Sequence, residues 1–244
     1  MEPAQFCTIS ISSVILRHFH RVLASRLMAL PLLNEKQWAF INADGIAESD
    51  FVMAMMINEA NEKLRQLHMS MIDVKKAFDT VYHNSIRATM MSRGLPNPLT
   101  EYVMNMCTHS VARLEVDGQL SAPIHPRRGV GQGDSLSSFI FNLGMDNVIN
   151  AIPSEVGLSI GSTRVNCLAF ANDLVLVAEI KQGLQLVMDC VVNQMRKCGL
   201  SSLPTKRQAL SLVPSGREKE MKVISEPTFV IEGQQMKQIG IEDS

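Results

Sequence analysis

The stretch Leu168-Ala169-Phe170-Ala171-Asn172-Asp173-Leu174-Val175-Leu176-Val177 constrains the fold more than any other. Two apolar runs flank a polar pair, the pattern of two strands joined by a tight turn. The tip of this hairpin has a chemical character. Paired carboxylates at a turn can bridge two divalent cations, which a nucleotidyl transfer needs at both the attacking and the leaving oxygen. Here the first position is an amide, Asn172, and only the second, Asp173, is a carboxylate.

At 244 residues, 46% hydrophobic and 19% charged, the chain can bury one large core or two small ones. The five cysteines, Cys7, Cys107, Cys167, Cys190 and Cys198, show no C-x-x-C spacing. That argues against a disulfide framework and a zinc site and for an intracellular setting, cytoplasm and/or nucleus. No secretory pattern is present and no run approaches the roughly 18 apolar residues of a membrane span, so a soluble chain without a membrane partner is expected. The net charge of −1 gives no global attraction to nucleic acid, which leaves only local patches for that purpose. Residues 16–27, with Arg17, His18, His20, Arg21 and Arg26, form either such a patch or an ordinary solvated helix face.

Along the chain, Ser12-Ser13 can cap a first helix with Ile15, Phe19, Val22 or Leu23, and Leu27 at helical spacing, closed by Pro31. A second helix is expected over 48–67, with Phe51, Met55, Ile57 and Leu64 on its apolar positions. A strand over 69–74, a helix over 84–93 broken at Gly94-Leu95-Pro96-Asn97-Pro98, and a strand over 111–117 turning at Gly118 follow. The glycine-rich turn Gly129–Asp134 opens an apolar helix to about Ile152; after the hairpin come a helix over 181–198 and a strand over 209–213. The class is α+β, with antiparallel strands on one side and helices on the other.

Asp73 ends a largely apolar strand, where an unpaired carboxylate is costly. Two readings stand. If that strand lies beside the hairpin, Asp73 and Asp173 converge and can share a divalent cation through hard oxygen ligands. Otherwise Asp73 caps a helix beginning at Lys75, and Asp173 sits in an exposed turn.

Met71-Ile72-Asp73-Val74-Lys75-Lys76-Ala77-Phe78-Asp79 resembles the first catalytic motif of reverse transcriptases. Gly129–Ser137 resembles their glycine-glutamine motif, and Phe170-Ala171-Asn172-Asp173 their aspartate pair, in the family's order. Ile9–Val14, Ala43-Asp44-Gly45 and Ile124–Gly129 are similar to the non-LTR retrotransposon enzymes, particularly the ribosomal-DNA-inserting type. The resemblance runs from about Phe6 to Ile241. It implies the fingers and palm of a right-hand polymerase, with an antiparallel palm sheet and packed helices. Residues 1–68 with part of 80–125 would be fingers-like and 69–214 the palm-like catalytic core. Residues 215–244 would be the end of the palm ahead of the primer grip, with the thumb absent.

The same resemblance implies an RNA-directed DNA polymerase acting on an RNA template, a DNA primer and dNTP. Asp73, the Val74 carbonyl and Asp173 would hold two Mg²⁺ ions. Phe78 would exclude a 2′-hydroxyl, although alone it reads as a core aromatic. Gln132 and Gly133 would lie against the incoming nucleotide, where glycine allows close approach. Lys206 would pass a proton to the leaving pyrophosphate, although alone it reads as a surface-loop lysine.

Departures fall on functional positions. Asn172 stands where the family has aspartate, Cys7-Thr8 where it has Arg-Pro, Trp38 and Gly131 where it has arginines, and Ser135 where it has proline. None of thiol, indole or glycine replaces a guanidinium fork on phosphate. The Arg-to-Cys, Arg-to-Trp, Asp-to-Asn and Pro-to-Ser changes are each one C-to-T or G-to-A transition, the signature of cytosine deamination in a decaying element copy. The expectation is an impaired polymerase domain; its alternatives are a catalytically silent RNA- or partner-binding remnant and a non-functional fragment.

Overall fold

The computed structural model describes residues 9–41, 43–216, 219–225 and 228–240. In chain order the first elements are α1 (Val14–Met28), α2 (Gly45–Lys63), β1 (Leu67–Asp73), α3 (Ala77–Thr80), α4 (His83–Ser92) and α5 (Asn97–Thr108). Next come β2 (Glu115–Val116), β3 (Gln119–Leu120), α6 (Ser135–Ile149), β4 (Leu158–Ile160), β5 (Thr163–Val165), β6 (Cys167–Phe170) and β7 (Asp173–Ala178). The last are α7 (Lys181–Lys197), β8 (Gln208–Pro214), β9 (Met221–Ile224), β10 (Val230–Ile231), β11 (Gln234–Gln235) and β12 (Lys237–Gln238). They fall into two compact units.

One unit comprises Asn34–Lys75, Val148–Lys197 and Ser201–Ser244 and is built on a sheet of order β12-β8-β1-β7-β6, with β9 on β8. Strand period 2 decides its two faces. Leu67 and Met69 of β1, Leu168 of β6, Val177 of β7 and Leu212 of β8 meet Met56 and Ala60 of α2 in one apolar cluster. Residues Ile72, Leu174 and Leu176 point the other way, and α7, which packs on β1 and β7, buries Leu184, Val187, Met188, Val191 and Met195 at helical spacing. Each such fully buried Leu, Val or Met stabilises by about 1.5–3 kcal/mol. The outer edge of β6 is covered by the Lys36–Ala39 segment: Ala169 donates to Lys36 O at 2.9 Å and Trp38 donates to Ala169 O at 2.8 Å. Gly45, which opens α2, is required by crowding, since a Cβ there would lie 1.8 Å from the Trp38 carbonyl oxygen.

The other unit, Met1–Leu33, Lys76–Asn147 and Cys198–Leu200, holds α1, α3, α4, α5, the β2–β3 hairpin and most of α6. Ser13 caps α1, accepting from Leu16 N–H at 3.3 Å. α6 is buried nearly all round through Leu136, Phe139, Ile140, Phe141 and Leu143.

Three sequence expectations are corrected here. In α1 the buried residues are His20, Ala24 and Leu27, while Ile15 is 83% exposed and Phe19 and Val22 also face solvent. The face turns because His20 has polar partners to meet, described below. In α2 Met56 and Ala60 are buried while Phe51 and Met55 are exposed. The strand expected over 111–117 shortens to β2, Glu115–Val116, because the residues of that segment are all exposed and have no buried face for alternation to fill; the break over 94–98 is present, and α5 begins within it at Asn97, since proline in the first helical turn forfeits no intrahelical bond.

Candidate active site

β1 and β7 pair antiparallel with Asp73 opposite Asp173. Directly opposed residues project to the same face, so both carboxylates leave the sheet together at one end of its central strands. They line an open cleft of about 380 Å³ with Met71, Val175, Thr205 and Lys206. The link from β6 to β7 is two residues, Ala171 and Asn172. Ala171 has φ +53°, a value that a short hairpin demands of its first turn residue and that glycine usually supplies. Val74 N–H donates to Asn172 O at 3.0 Å, carrying the pairing one residue past the two aspartates. Because N–H and C=O of one strand residue point to the same side, the Val74 carbonyl faces the hairpin tip as well.

Lys206 reaches this cleft through a short 3-10 turn, Pro204–Lys206. The preceding Leu203 N–H donates to Asp73 O at 2.8 Å and fixes the loop to the end of β1, and Lys206 Nζ lies 2.5 Å from Asp73 Oδ2. An ion pair this exposed on its lysine side contributes under about 1 kcal/mol. Partial removal of water, followed by the charge of Asp73, raises the Asp173 carboxyl above its ordinary value, while Lys206 opposes the shift. Two mutually repelling carboxylates, already drawing an ammonium group, are a donor set that fits a hard divalent cation. The amide of Asn172 adds no charge to that set. Among the described residues no group of three His, Cys, Asp or Glu side chains could hold a metal ion.

Phe78, Gln132 and Gly133 belong to the other unit. Val130 N–H donates to Phe78 O at 2.7 Å, so the glycine loop hangs from the turn that carries Phe78. Phe78 stacks one face on buried Phe141 at 4.3 Å between centroids and is only half-buried itself, which leaves part of the ring accessible. Gly133 has φ +107°, and its missing Cβ would meet Ile9 at 3.0 Å. Gln132 O accepts from Ser10 N–H at 2.7 Å.

The next residue of that loop carries a contact that sequence reasoning missed. Asp134 caps α6 through Oδ1 at Leu136 N–H, 2.9 Å, while Oδ2 lies 2.7 Å from Nδ1 of buried His20, whose Nε2 lies 2.6 Å from the Tyr102 hydroxyl. Gln37 was missed too. It is 2% exposed and its Oε1 accepts from Ala171 N–H at 2.9 Å. Its only sequence signal is a polar residue before Trp38, which periodicity cannot interpret.

Of the substituted positions, Trp38 packs against the apolar cluster under the sheet, a packing role in place of a cationic one. Cys7-Thr8 lie outside the described residues, as do the ends of the resemblance at Phe6 and Ile241. Burial pushes the thiols of Cys107 up to about 11 and Cys167 up to about 12, so neither is a nucleophile near neutral pH. Among the described residues no helix is long and apolar enough to cross a membrane.

An antiparallel sheet backed by helices, with two aspartates opposed at the ends of its central strands, defines the palm of a template-directed polymerase. The chain belongs to the reverse transcriptase (RNA-dependent DNA polymerase) family, whose model matches residues 3–241. It is 42% identical over 243 residues to the Pol polyprotein of the type-1 retrotransposable element R2 of Nasonia vitripennis, covering 100% of this chain and 24% of that protein. To the R2 polyprotein of Bradysia coprophila it is 32% identical, covering 99% of this chain and 28% of the relative, so it spans about a quarter of the length of these relatives. Among solved structures, apo telomerase of Candida tropicalis truncated from its C-terminal domain shares the fold, with TM-score 0.59 and 16% identity over 91% of this chain and 45% of that one. Fingers and palm are thus the architecture, and reverse transcriptases are generally dependent on divalent metal.

Proposed function

We propose that this chain is the part of an R2-type polyprotein that copies an RNA template into DNA from a primer and dNTP, and that Asn172 leaves this copy slow. The register of Asp73 against Asp173 is the observation that carries the reading. Asp73, Asp173 and the Val74 carbonyl would hold two Mg²⁺ ions, which when bound activate the primer 3′-hydroxyl and neutralise charge on the triphosphate. Asn172 would offer a neutral amide oxygen where a third carboxylate would bind a dication far better. Lys206 would leave Asp73 Oδ2 and donate a proton from Nζ to the leaving pyrophosphate. Phe78 would reject a ribose 2′-hydroxyl sterically, and Gly133 would let the backbone approach the nucleotide closely. Arg17, His18 and Arg21, which line one cleft with Gly133, Asp134 and Ser135, would hold template phosphates through salt-sensitive contacts.

Primer extension on poly(rA)/oligo(dT) with Mg²⁺ or Mn²⁺ tests the reading. The Asn172→Asp chain is expected to extend at least about 100-fold faster than the natural one, the scale of losing one charge-stabilising group. Replacing Asp173 by Asn in that chain should abolish extension. Extension by the natural chain within a few-fold of Asn172→Asp would refute the impairment, and RNA-templated extension that survives loss of Asp173 would refute the site.

A further inference from the structure

We infer that Gln37 is a positioning residue for the hairpin tip, its side-chain oxygen holding the backbone of Ala171 so that Asp173 stays opposite Asp73. This rests on the reading of Asp73 and Asp173 as cation ligands. Ala171 occupies the left-handed region without being glycine, a conformation that persists only where the surroundings impose it. The backbone of Lys36–Trp38 supplies the hydrogen bonds of Ala169, but its ladder ends there, two residues short of the turn. Ala171 is 6% exposed, so its N–H cannot turn to water instead. The Gln37 side chain provides the missing acceptor.

A second N–H, that of Ala39, reaches the same Oε1 at 3.2 Å. Two donors converging on one atom fix the orientation of the amide, since its NH₂ end would face them without an acceptor. The other end, Nε2, is buried and has no hydrogen-bond partner among the described residues. A glutamine retained at that cost is there for what its oxygen does. An apolar side chain of equal length would fill the space and leave Ala171 N–H unsatisfied. The turn then keeps Val74 N–H on Asn172 O and the pairing of Phe170 with Asp173, but nothing holds Ala171 N–H in place. Ala171 would relax toward an ordinary φ. Asp173, the first residue of β7, adjoins that turn and would move with it, whereas Asp73 has a further tie outside the hairpin, its carbonyl accepting from Leu203 N–H at 2.8 Å.

Mn²⁺ binding, read from the electron paramagnetic resonance signal of free ion, gives a measure that needs no turnover. In the Asn172→Asp chain, Gln37→Met is expected to weaken binding about tenfold, the usual effect of removing a group that orients a metal ligand. Gln37→Glu, which keeps the acceptor, is expected to bind no more weakly than its parent. A change of twofold or less for Gln37→Met, or equal weakening by both substitutions, would overturn the inference while leaving the cation site standing. Failure of the Asn172→Asp chain to bind Mn²⁺ at all would remove the ligand reading and this inference with it. If Gln37→Met does not fold, amide hydrogen exchange in the unaltered chain decides: protection of Ala171 N–H comparable to that of Ala169 supports the role, and exchange at the rate of an exposed turn refutes it.

Discussion

Restoring the carboxylate at position 172 should move stability in opposite directions with and without metal. Asn172 adjoins Asp173, and its carbonyl accepts from the N–H of Val74 next to Asp73, so Asn172→Asp sets a third negative charge close to the other two. Repulsion at a solvent-lined site is about 1 kcal/mol per close pair, and the Lys206 ammonium offsets part of it, leaving a net cost of about 1 kcal/mol. For a chain of this size that lowers Tm by about 2–4 °C in EDTA. With about 10 mM Mn²⁺ and a Kd of about 0.1 mM, binding to the folded state alone returns about 2.7 kcal/mol. If the amide weakens affinity ten- to a hundredfold, the natural chain gains only about 0.4–1.4 kcal/mol under the same conditions. Differential scanning fluorimetry of both chains, with and without Mn²⁺, should therefore show the curves changing order. An equal Mn²⁺-dependent rise in the two chains would refute the claim that position 172 limits metal binding. So would a revertant already more stable in EDTA.

Three further outcomes follow from particular contacts. Burial, and then the charge of Lys181, holds the His68 imidazole below its ordinary value of 6.5. That contribution is fully present above 6.5 and is lost as pH falls through the folded value, because the unfolded chain takes the proton first. His68→Gln, which keeps a polar contact for Ser211, should flatten the decline in Tm between neutral and acid pH, and an unchanged slope would refute this. Gly45→Ala forces a Cβ into the Trp38 carbonyl and should cost about 3 kcal/mol, read as a lowered denaturation midpoint; an unshifted midpoint would show that the backbone yields easily. Phe78→Val in the Asn172→Asp chain should raise ribonucleotide over deoxynucleotide incorporation about tenfold or more, and an unaltered kcat/KM ratio would make Phe78 a packing residue only.

The parts legible in the sequence are those set by strong local pattern. The β6–β7 hairpin, β1, α7 and β8 stand within about two residues of where apolar periodicity puts them, whereas the pairing of Asp73 with Asp173 is one of two readings that spacing leaves open, since local pattern does not say which strand lies beside the hairpin. Elements governed by distant partners were not legible. α1 turns His20 inward because Asp134 and Tyr102 wait more than eighty residues away, and no spacing rule prefers a histidine to Phe19 for a core face. β4 and β5 are three residues each, too short for alternation to register. Gln37 could not be read at all, since its value lies in a hydrogen bond to a turn 134 residues on.

That same division explains how an amide can stand at position 172 in an otherwise ordered palm. The hairpin tip is held by backbone groups: Val74 N–H on Asn172 O, the strand register on either side, and Gln37 Oε1 on Ala171 N–H. Among the described residues no hydrogen bond that orders the turn uses the Asn172 side chain, so the geometry of the turn does not depend on whether that position carries an amide or a carboxylate. Removing the charge even relieves repulsion beside Asp173, whose carboxyl is already held above its ordinary value. Folding and chemistry thus place opposite demands on one residue. A polymerase under selection must accept the repulsion in order to hold its cations, whereas a copy released from that selection loses nothing in stability when the charge goes. The substitution is expected where the two demands conflict most, at the catalytic turn, and least among the core positions such as Met56, Leu67 and Leu174, where any polar change would cost stability directly.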